Sequence, residues 1–478
     1  MQPAPQQLER ASTRPERELD RILHSLRSGA WSIRAADRDG AWQRAELAVP
    51  DTDPLTFLRR VAAAAPGGVH YWSDRRHTLQ SAGVGTAAEL TGDAGVDFAD
   101  VCGRAQELIG CRRQRLYGGF RFATASNDAA EPLWRPFGSY RFTLPRVELT
   151  RTTNGTVLAC NFRRAEIATL HDHIQPLAVA CRRALAVEPG AVAPEAARLN
   201  PVHPYRHEPD RTRWQRIVAA VLQRLAGGLN GGGRPLEKIV LARRTTFAFP
   251  APVDALALLE RLRGVNPTAF HFAMQPVPGL AFFGASPERL LRISGSTLET
   301  EALAGTRPRG ATRDADERLE AELIRSDKEV REHGLVHTRI AECLRELCSE
   351  VTTQDAVRVR KLAHVQHLHT SFRGTLRPGL GLADALHWLH PTPAVGGYPT
   401  CGVSDLIAAT EGFDRGWYAG PVGWIGADEA EFAVAIRSGV AAGEHLHLYA
   451  GNGIVRGSNA AAEWAEMEQK ILQILDVV

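Results

Sequence analysis

The first residues in this sequence whose types and spacing could do chemistry are four glutamates and a lysine. Glu329 and Glu332 stand three apart in a charged helical stretch, and Glu463 and Glu466 repeat the spacing near the end of the chain. Residues three apart share a helix face. Either pair alone reads first as a solvated face. If the two faces converge, the carboxylates raise one another's pKa unless a cation sits among them. A hard divalent ion such as Mg2+, which takes oxygen ligands and keeps several waters, would remove that repulsion. Lys238 opens the apolar run Lys238-Ile-Val-Leu-Ala-Arg243. It reads either as a snorkelling surface lysine or, if desolvated, as a general base of lowered pKa. Glu288 lies in the turn-like segment Gly284-Ala-Ser-Pro-Glu-Arg289. A turn glutamate is usually exposed; enclosed in a site, it can hold a proton and serve as a general acid.

Other chemistries find less support. His364, His367 and His369 suggest a metal site, yet no Cys or acidic residue stands beside them to complete a tetrahedral set. A Gly-Xaa-Ser-Xaa-Gly elbow is absent. The glycine-rich run from Gly227 to Gly233 lacks the Gly-Lys-Ser/Thr of a phosphate cradle and reads as a flexible turn. The seven cysteines (Cys102, Cys111, Cys160, Cys181, Cys343, Cys348 and Cys401) form no C-x-x-C pair. That argues against a zinc site or disulfide framework and for thiols in a reducing compartment. Fifty-seven basic residues against 54 acidic ones leave a net charge of +3, without the concentrated basic face of a nucleic-acid binder. The run from Cys111 to Arg115 reads as a solvated face. Met1 to Pro5 begin no signal-like apolar region, and no run approaches the roughly 20 apolar residues that span a membrane. The expectation is a soluble, cytoplasmic protein with no nucleic-acid or membrane partner.

The elements that must position these groups follow from periodicity. Residues 1–30 read as a loose segment with a short helix through Leu19, Ile22, Leu23 and Leu26. Gly118 to Phe122 reads as a turn entering a strand, and Val187 to Pro204 as a connector. Arg211 to Leu225 carries apolar residues at helical steps. Strands are expected at Lys238 to Arg243, Ala269 to Met274, Leu280 to Gly284 and Arg289 to Ile293, with a hairpin at Ser294-Gly295-Ser296 into Thr297 to Ala302. One long helix is expected from Asp314 to about Glu350, then strands at Phe432 to Arg437 and His445 to Tyr449, and a last helix over Ala460 to Leu475. Strands arriving in series predict a layered α+β fold with largely antiparallel sheet. On this reading the chain is a scaffold half over 31–205 and a catalytic half over 206–478. Chemistry alone therefore points to an α+β enzyme with a carboxylate-held divalent ion and a small anionic substrate.

These segments resemble the chorismate-utilising enzymes, the family of anthranilate, isochorismate and salicylate synthases. The resemblance is carried by Lys238 to Arg243, Phe283-Gly-Ala-Ser-Pro-Glu-Arg-Leu290, Ala302-Leu-Ala-Gly-Thr306 and Ser326-Asp-Lys-Glu-Val-Arg-Glu-His333. It continues through Val365 to Leu368, His390-Pro-Thr-Pro-Ala-Val-Gly-Gly397, Asp414-Arg-Gly-Trp-Tyr-Ala-Gly420, Ala435 to Ser438 and Ala450-Gly-Asn-Gly-Ile-Val455. It is strong from about residue 210 and thin before 200. It implies one large domain of two similar halves with packed sheets and outer helices, and Mg2+ held against the ring carboxylate of chorismate. Residue by residue, it implies Lys238 as the base that activates water and Glu288 as the acid that protonates the departing hydroxyl. Glu332 and Glu466 match the metal ligands, and Glu329 and Glu463 support the metal through water. Gly305, Thr306, Tyr418, Arg437, Gly451 and Lys470 match positions that hold substrate carboxylates and hydroxyls, and His367 matches a histidine near the ring.

Within the family, Lys238 resembles the branch that uses water rather than ammonia. Ala394-Val395 resembles isochorismate synthases, where salicylate synthases tend to carry threonine in place of the alanine. His390 to Pro399 and the chain length resemble members serving the pyochelin siderophore pathway. The implied activity is isomerisation of chorismate to isochorismate for salicylate or siderophore synthesis, which leaves room for a downstream isochorismate-pyruvate lyase as partner. Salicylate synthase and a non-catalytic binding subunit are the alternatives. Three departures stand near the site: Asn452 where a small residue is usual, Met467 in place of threonine, and Glu329 in place of aspartate.

Overall fold

Lys238 begins a strand because the run behind it is apolar and β-branched. In the computed structural model this strand spans Lys238–Ala248, and all residues from Lys238 to Thr245 are buried. Unbroken burial means that both faces are covered, not only one. The strand pairs with His445–Val455 along its length, Lys238 opposite Val455 and Ala242 opposite Gly451, and at its start with Gly397–Tyr398. The structure describes residues 42–64, 67–93, 95–123, 131–166, 169–186, 200–227, 235–354 and 356–477.

Every strand pairing among the described residues is antiparallel. The strands make two sheets that share the long strand Tyr140–Thr152. One sheet runs from Trp42–Val49 through Gly155–Arg163, Tyr140–Thr152, Leu79–Gly92 and Val69–Ser73. It continues through Phe270–Val277, Leu280–Ser286, Ser438–Ala442 and His445–Val455 to the Lys238 strand. The other runs from Tyr140–Thr152 through Leu116–Phe120, Pro421–Ile425, Glu429–Val434, Arg289–Ser294 and Thr297–Pro308 to Val365–Leu376. Each sheet thus takes strands from both halves of the chain, so the chain forms one α+β domain. Aromatic packing joins the halves as well: Trp134 lies 5.5 Å from Phe282, and Phe137 lies 5.6 Å from Trp417.

The helices cover the sheets. Arg211–Ala226 forms where the periodicity placed it; Asp210 caps it, and Trp214, Val218, Val221 and Leu225 are buried. Ala460–Leu475 has the expected bounds. The stretch expected as one long helix is two, Arg313–Arg325 and Asp327–Leu347. Ser326 divides them: its extended backbone ends the first helix, and its hydroxyl accepts from Glu329 N, at 3.5 Å, to begin the second. Ser326-Asp-Lys-Glu329 carries the spacing of a capping box, a local signal for this break.

Other boundaries also moved. Gly118 and Gly119 lie within the strand Leu116–Phe120 rather than in a turn before it. A Cβ on Gly118 would come within 1.8 Å of Arg141 O, so glycine there permits close strand approach. The expected connector overlaps the strand Val202–Glu208, and its residues 187–199 lie outside the described residues. The expected N-terminal helix and Gly228 to Gly233 also lie outside them. No helix among the described residues is long and apolar enough to cross a membrane.

Candidate active site

The two glutamate pairs converge. Ser326 sets Glu329 in the first turn of Asp327–Leu347, with Glu332 one turn on, and this helix packs on the strand Thr297–Pro308. Asn459 caps Ala460–Leu475, accepting from Ala461 N and Ala462 N, and so sets Glu463 and Glu466 against His445–Val455. All four line one cleft. Carboxylates near a helix N-terminus gain from its partial positive charge.

Every glutamate of the four is answered by a cation of this chain. Lys238 Nζ donates to Glu332 Oε1 at 2.9 Å. Lys328 donates to Glu463 at 3.1 Å, Lys470 pairs with Glu466 at 2.8 Å, and Arg307 donates to Glu329 at 2.8 Å. Burial opposes ionisation of Glu466, but Lys470, Lys328 and Arg437 together hold its carboxyl below the usual range. Burial pushes Glu463 up. Among the described residues, no three His, Cys, Asp or Glu are drawn together tightly enough to form a ready-made ion cage.

Lys238 is not at the surface; it is completely buried beneath the lining and meets the cleft through Glu332. Gly453 makes room for this contact, since a Cβ there would fall 2.7 Å from Glu332 Oε1 and 2.8 Å from Lys238 Cε. Glu288 also lines the cleft and is only 2% exposed. No hydrogen bond or ion pair among the described residues reaches its carboxyl. Burial, with a further push from Glu301, raises its pKa to about 8 against the pull of Lys238 and Arg75. At neutral pH it therefore carries a proton.

The expected substrate contacts share the cleft: Gly305, Thr306, His367, Ala394, Tyr418, Arg437, Gly451 and Lys470 all line it. Gly305 sits at a bulge between Thr297–Pro308 and Val365–Leu376, in the left-handed region at φ 76°. The bulge turns Thr306 N toward Glu329 Oε2, 3.0 Å away. His367 Nδ1 meets Thr306 Oγ1 at 3.1 Å, while its buried Nε2 has no protein partner. Burial, Arg437 and Lys470 lower the imidazole to about 3, so it is neutral. Arg437 follows the strand Glu429–Val434 in the left-handed region at φ 51°, a conformation costly for a non-glycine residue and typical of functional positions. The histidine cluster does not assemble: His369 turns to Glu301, at 3.2 Å, whereas His367 faces the cleft.

Motif reading gave no role to several residues found here. Lys328 and Tyr449 line the cleft, and Arg307 holds Glu329. Arg415 is 5% exposed and donates to Glu411, Val395 O and Val240 O, which ties the Ala394 segment to the Lys238 strand. Lys328 and Arg415 lie inside motifs already singled out, but nothing local shows their direction.

The arrangement offers a proton donor, a buried amine, cation-paired carboxylates and donors suited to an anionic ligand. Comparison with known proteins agrees with that chemistry. The family model for chorismate binding enzyme matches residues 31–478. The chain is 33% identical to the chloroplastic isochorismate synthase of Catharanthus roseus over 91% of this chain and 75% of that protein. It is 32% identical to the salicylate biosynthesis isochorismate synthase of Pseudomonas aeruginosa, covering 94% and 93% of the two chains. The solved structure of MenF, the menaquinone-specific isochorismate synthase of Escherichia coli, superposes with a TM-score of 0.79 at 28% identity, over 96% and 98% of the chains.

Proposed function

The chain belongs to the chorismate binding enzyme family, and on that premise we propose that it isomerises chorismate to isochorismate. The observation that carries this reading is Glu288, a buried carboxyl with no partner, protonated at neutral pH in the cleft that Lys238 meets through Glu332. Lys238 serves as the base that takes a proton from the water attacking ring C2, passing its own ammonium proton to its partner Glu332 beforehand. The ring double bonds shift, and Glu288 gives its proton to the C4 hydroxyl, which leaves as water. One water enters and one departs, so the reaction is an isomerisation. A base and an acid acting together let the water add and the hydroxyl leave without a free ionic intermediate.

Arg437 and Lys470 suit the substrate carboxylates, Arg437 through the bidentate geometry open to a guanidinium. Neutral His367 presents Nε2 toward the ring. Mg2+ fits the donor set, which is all carboxylate oxygen. Glu332 and Glu466 would hold it, with Glu329 and Glu463 behind them through water. When bound, the ion would draw charge toward the ring carboxylate during attack. The similarity to the Pseudomonas aeruginosa protein supports a product that enters salicylate or siderophore synthesis, with a separate lyase downstream.

Incubation of the full chain with chorismate and Mg2+, with and without EDTA, tests the proposal by chromatography of the products. Isochorismate alone, lost with EDTA, is the expected result. Salicylate plus pyruvate without added lyase would make the protein a salicylate synthase. No turnover with Mg2+ present would favour a binding subunit.

A further inference from the structure

Asn452 departs from the small residue usual in the resembling motif, and the structure gives it three hydrogen bonds to Glu463 and Lys470, two residues that line the cleft. It lies on the strand His445–Val455, opposite Leu241, and is 3% exposed. Its Nδ2 donates to Glu463 Oε2 at 3.0 Å and to Glu463 O at 2.8 Å. Its Oδ1 accepts from Lys470 Nζ at 2.5 Å. The partners fix the amide's orientation, because an ammonium can only donate and a carboxylate only accept. Glu463 and Lys470 are seven residues apart, about two turns along one face of Ala460–Leu475. The strand residue therefore spans a gap that the helix cannot close by itself.

Each partner keeps other contacts. Lys470 also donates to Gly451 O at 2.9 Å and pairs with Glu466, and Glu463 also accepts from Lys328. The result is one continuous chain: Lys328, Glu463, Asn452, Lys470, Glu466. Glycine or alanine at 452 would cut it in the middle and leave both halves standing.

We propose that Asn452 is a positioning residue that joins the substrate end of the site, at Lys470, to its cation end, at Glu463. This rests on the isomerase reading above for the roles of those two residues. Ordering either end orders the other through the amide as well as through the direct Lys470–Glu466 pair, so Asn452 adds a second link by which chorismate and Mg2+ favour each other's binding. Such coupling is reciprocal by thermodynamic necessity.

The test uses the full chain with N452A and N452D. N452A removes both arms. Its KM for chorismate should rise about tenfold, the loss expected for one hydrogen bond to a charged group. Its half-saturating Mg2+ concentration should rise with it, and kcat with both ligands saturating should change by less than about threefold. N452D keeps the oxygen that accepts from Lys470 and loses the donor to Glu463. It should hold KM near the wild-type value while its Mg2+ requirement shifts. Calorimetric binding of chorismate with and without Mg2+ reads the link without turnover; Mg2+ should tighten chorismate less in N452A than in wild type. An N452A protein with unchanged KM, Mg2+ requirement and coupling overturns the proposal. So does an N452D protein that loses as much chorismate affinity as N452A, or a variant whose only change is a lower Tm. Wild type that binds chorismate without converting it overturns the isomerase reading and leaves the coupling measurable. Wild type that binds neither ligand overturns both.

Discussion

Two buried glutamates, one in each half of the chain, show how the same fold sets opposite chemistry. Glu148, in the N-terminal half, is completely buried, and so nearly is Glu288 in the C-terminal half. Burial pushes both carboxyls up, but only Glu148 is answered. Arg44 donates to it at 2.5 Å, Ser81 at 2.8 Å and Tyr117 at 2.7 Å, which brings its pKa down to about 2. Glu288 faces a cleft, with Glu301 adding to the push, and rises to about 8. The difference lies in the partners and not in depth. A fully satisfied network holds strands together, whereas an unsatisfied carboxyl that lines a cleft is a candidate proton donor.

Exchanging each carboxyl for its amide should separate the two roles. Glu288→Gln should cut turnover by about 10²–10⁴, the usual contribution of a positioned general acid, in steady-state assays with chorismate. The fold should survive. The folded-state pKa of Glu288 lies above its ordinary 4.5, so ionising it costs stability. That cost grows as pH rises from 4.5 through about 8. Glu288→Gln should therefore gain Tm relative to wild type at pH 9 and little at pH 5. A variant with near-normal kcat would end the comparison.

Glu148→Gln should do the reverse. Arg44 keeps Glu46 at 2.9 Å but loses its buried partner, and denaturant unfolding should register a loss of about 3 kcal/mol. KM and kcat at permissive temperature should stay within about twofold, as for a site that does not touch substrate. Loss of activity without loss of stability would show that the N-terminal network serves the site directly.

The smallest expected effect concerns the cation-paired glutamates. Glu332→Gln leaves Lys238 without its charged partner and removes a proposed Mg2+ ligand. The Mg2+ titration of activity should shift upward by about tenfold or more, as for altered metal shells. An unchanged titration would place the ion elsewhere.

How much of this was legible in the sequence follows the range of the forces. Local patterns were readable: Ala460–Leu475 formed with the bounds its periodicity implied, and the Lys238 strand formed where β-branched residues begin. The break at Ser326 was missed although its capping spacing is local. The sharing of Tyr140–Thr152 between two sheets has no local signature, since it depends on which distant strands meet. The site divides in the same way. Motifs located the glutamates, Lys238 and Glu288, but their pairing with lysines joins residues 94 and 135 apart. Glu148 gave no signal, because the region before residue 200 carries little recognisable pattern and its meaning is set by Arg44, more than 100 residues away.

The pH dependence of kcat/KM for wild-type enzyme acting on chorismate tests the central claim most directly. It reports the free enzyme's essential groups. If Glu288 must carry the proton given to the leaving hydroxyl, log kcat/KM should fall with unit slope above about pH 8, and this limb should vanish in the residual activity of Glu288→Gln. A profile that stays level through pH 8 and beyond, or a limb that persists in the amide variant, would contradict the account.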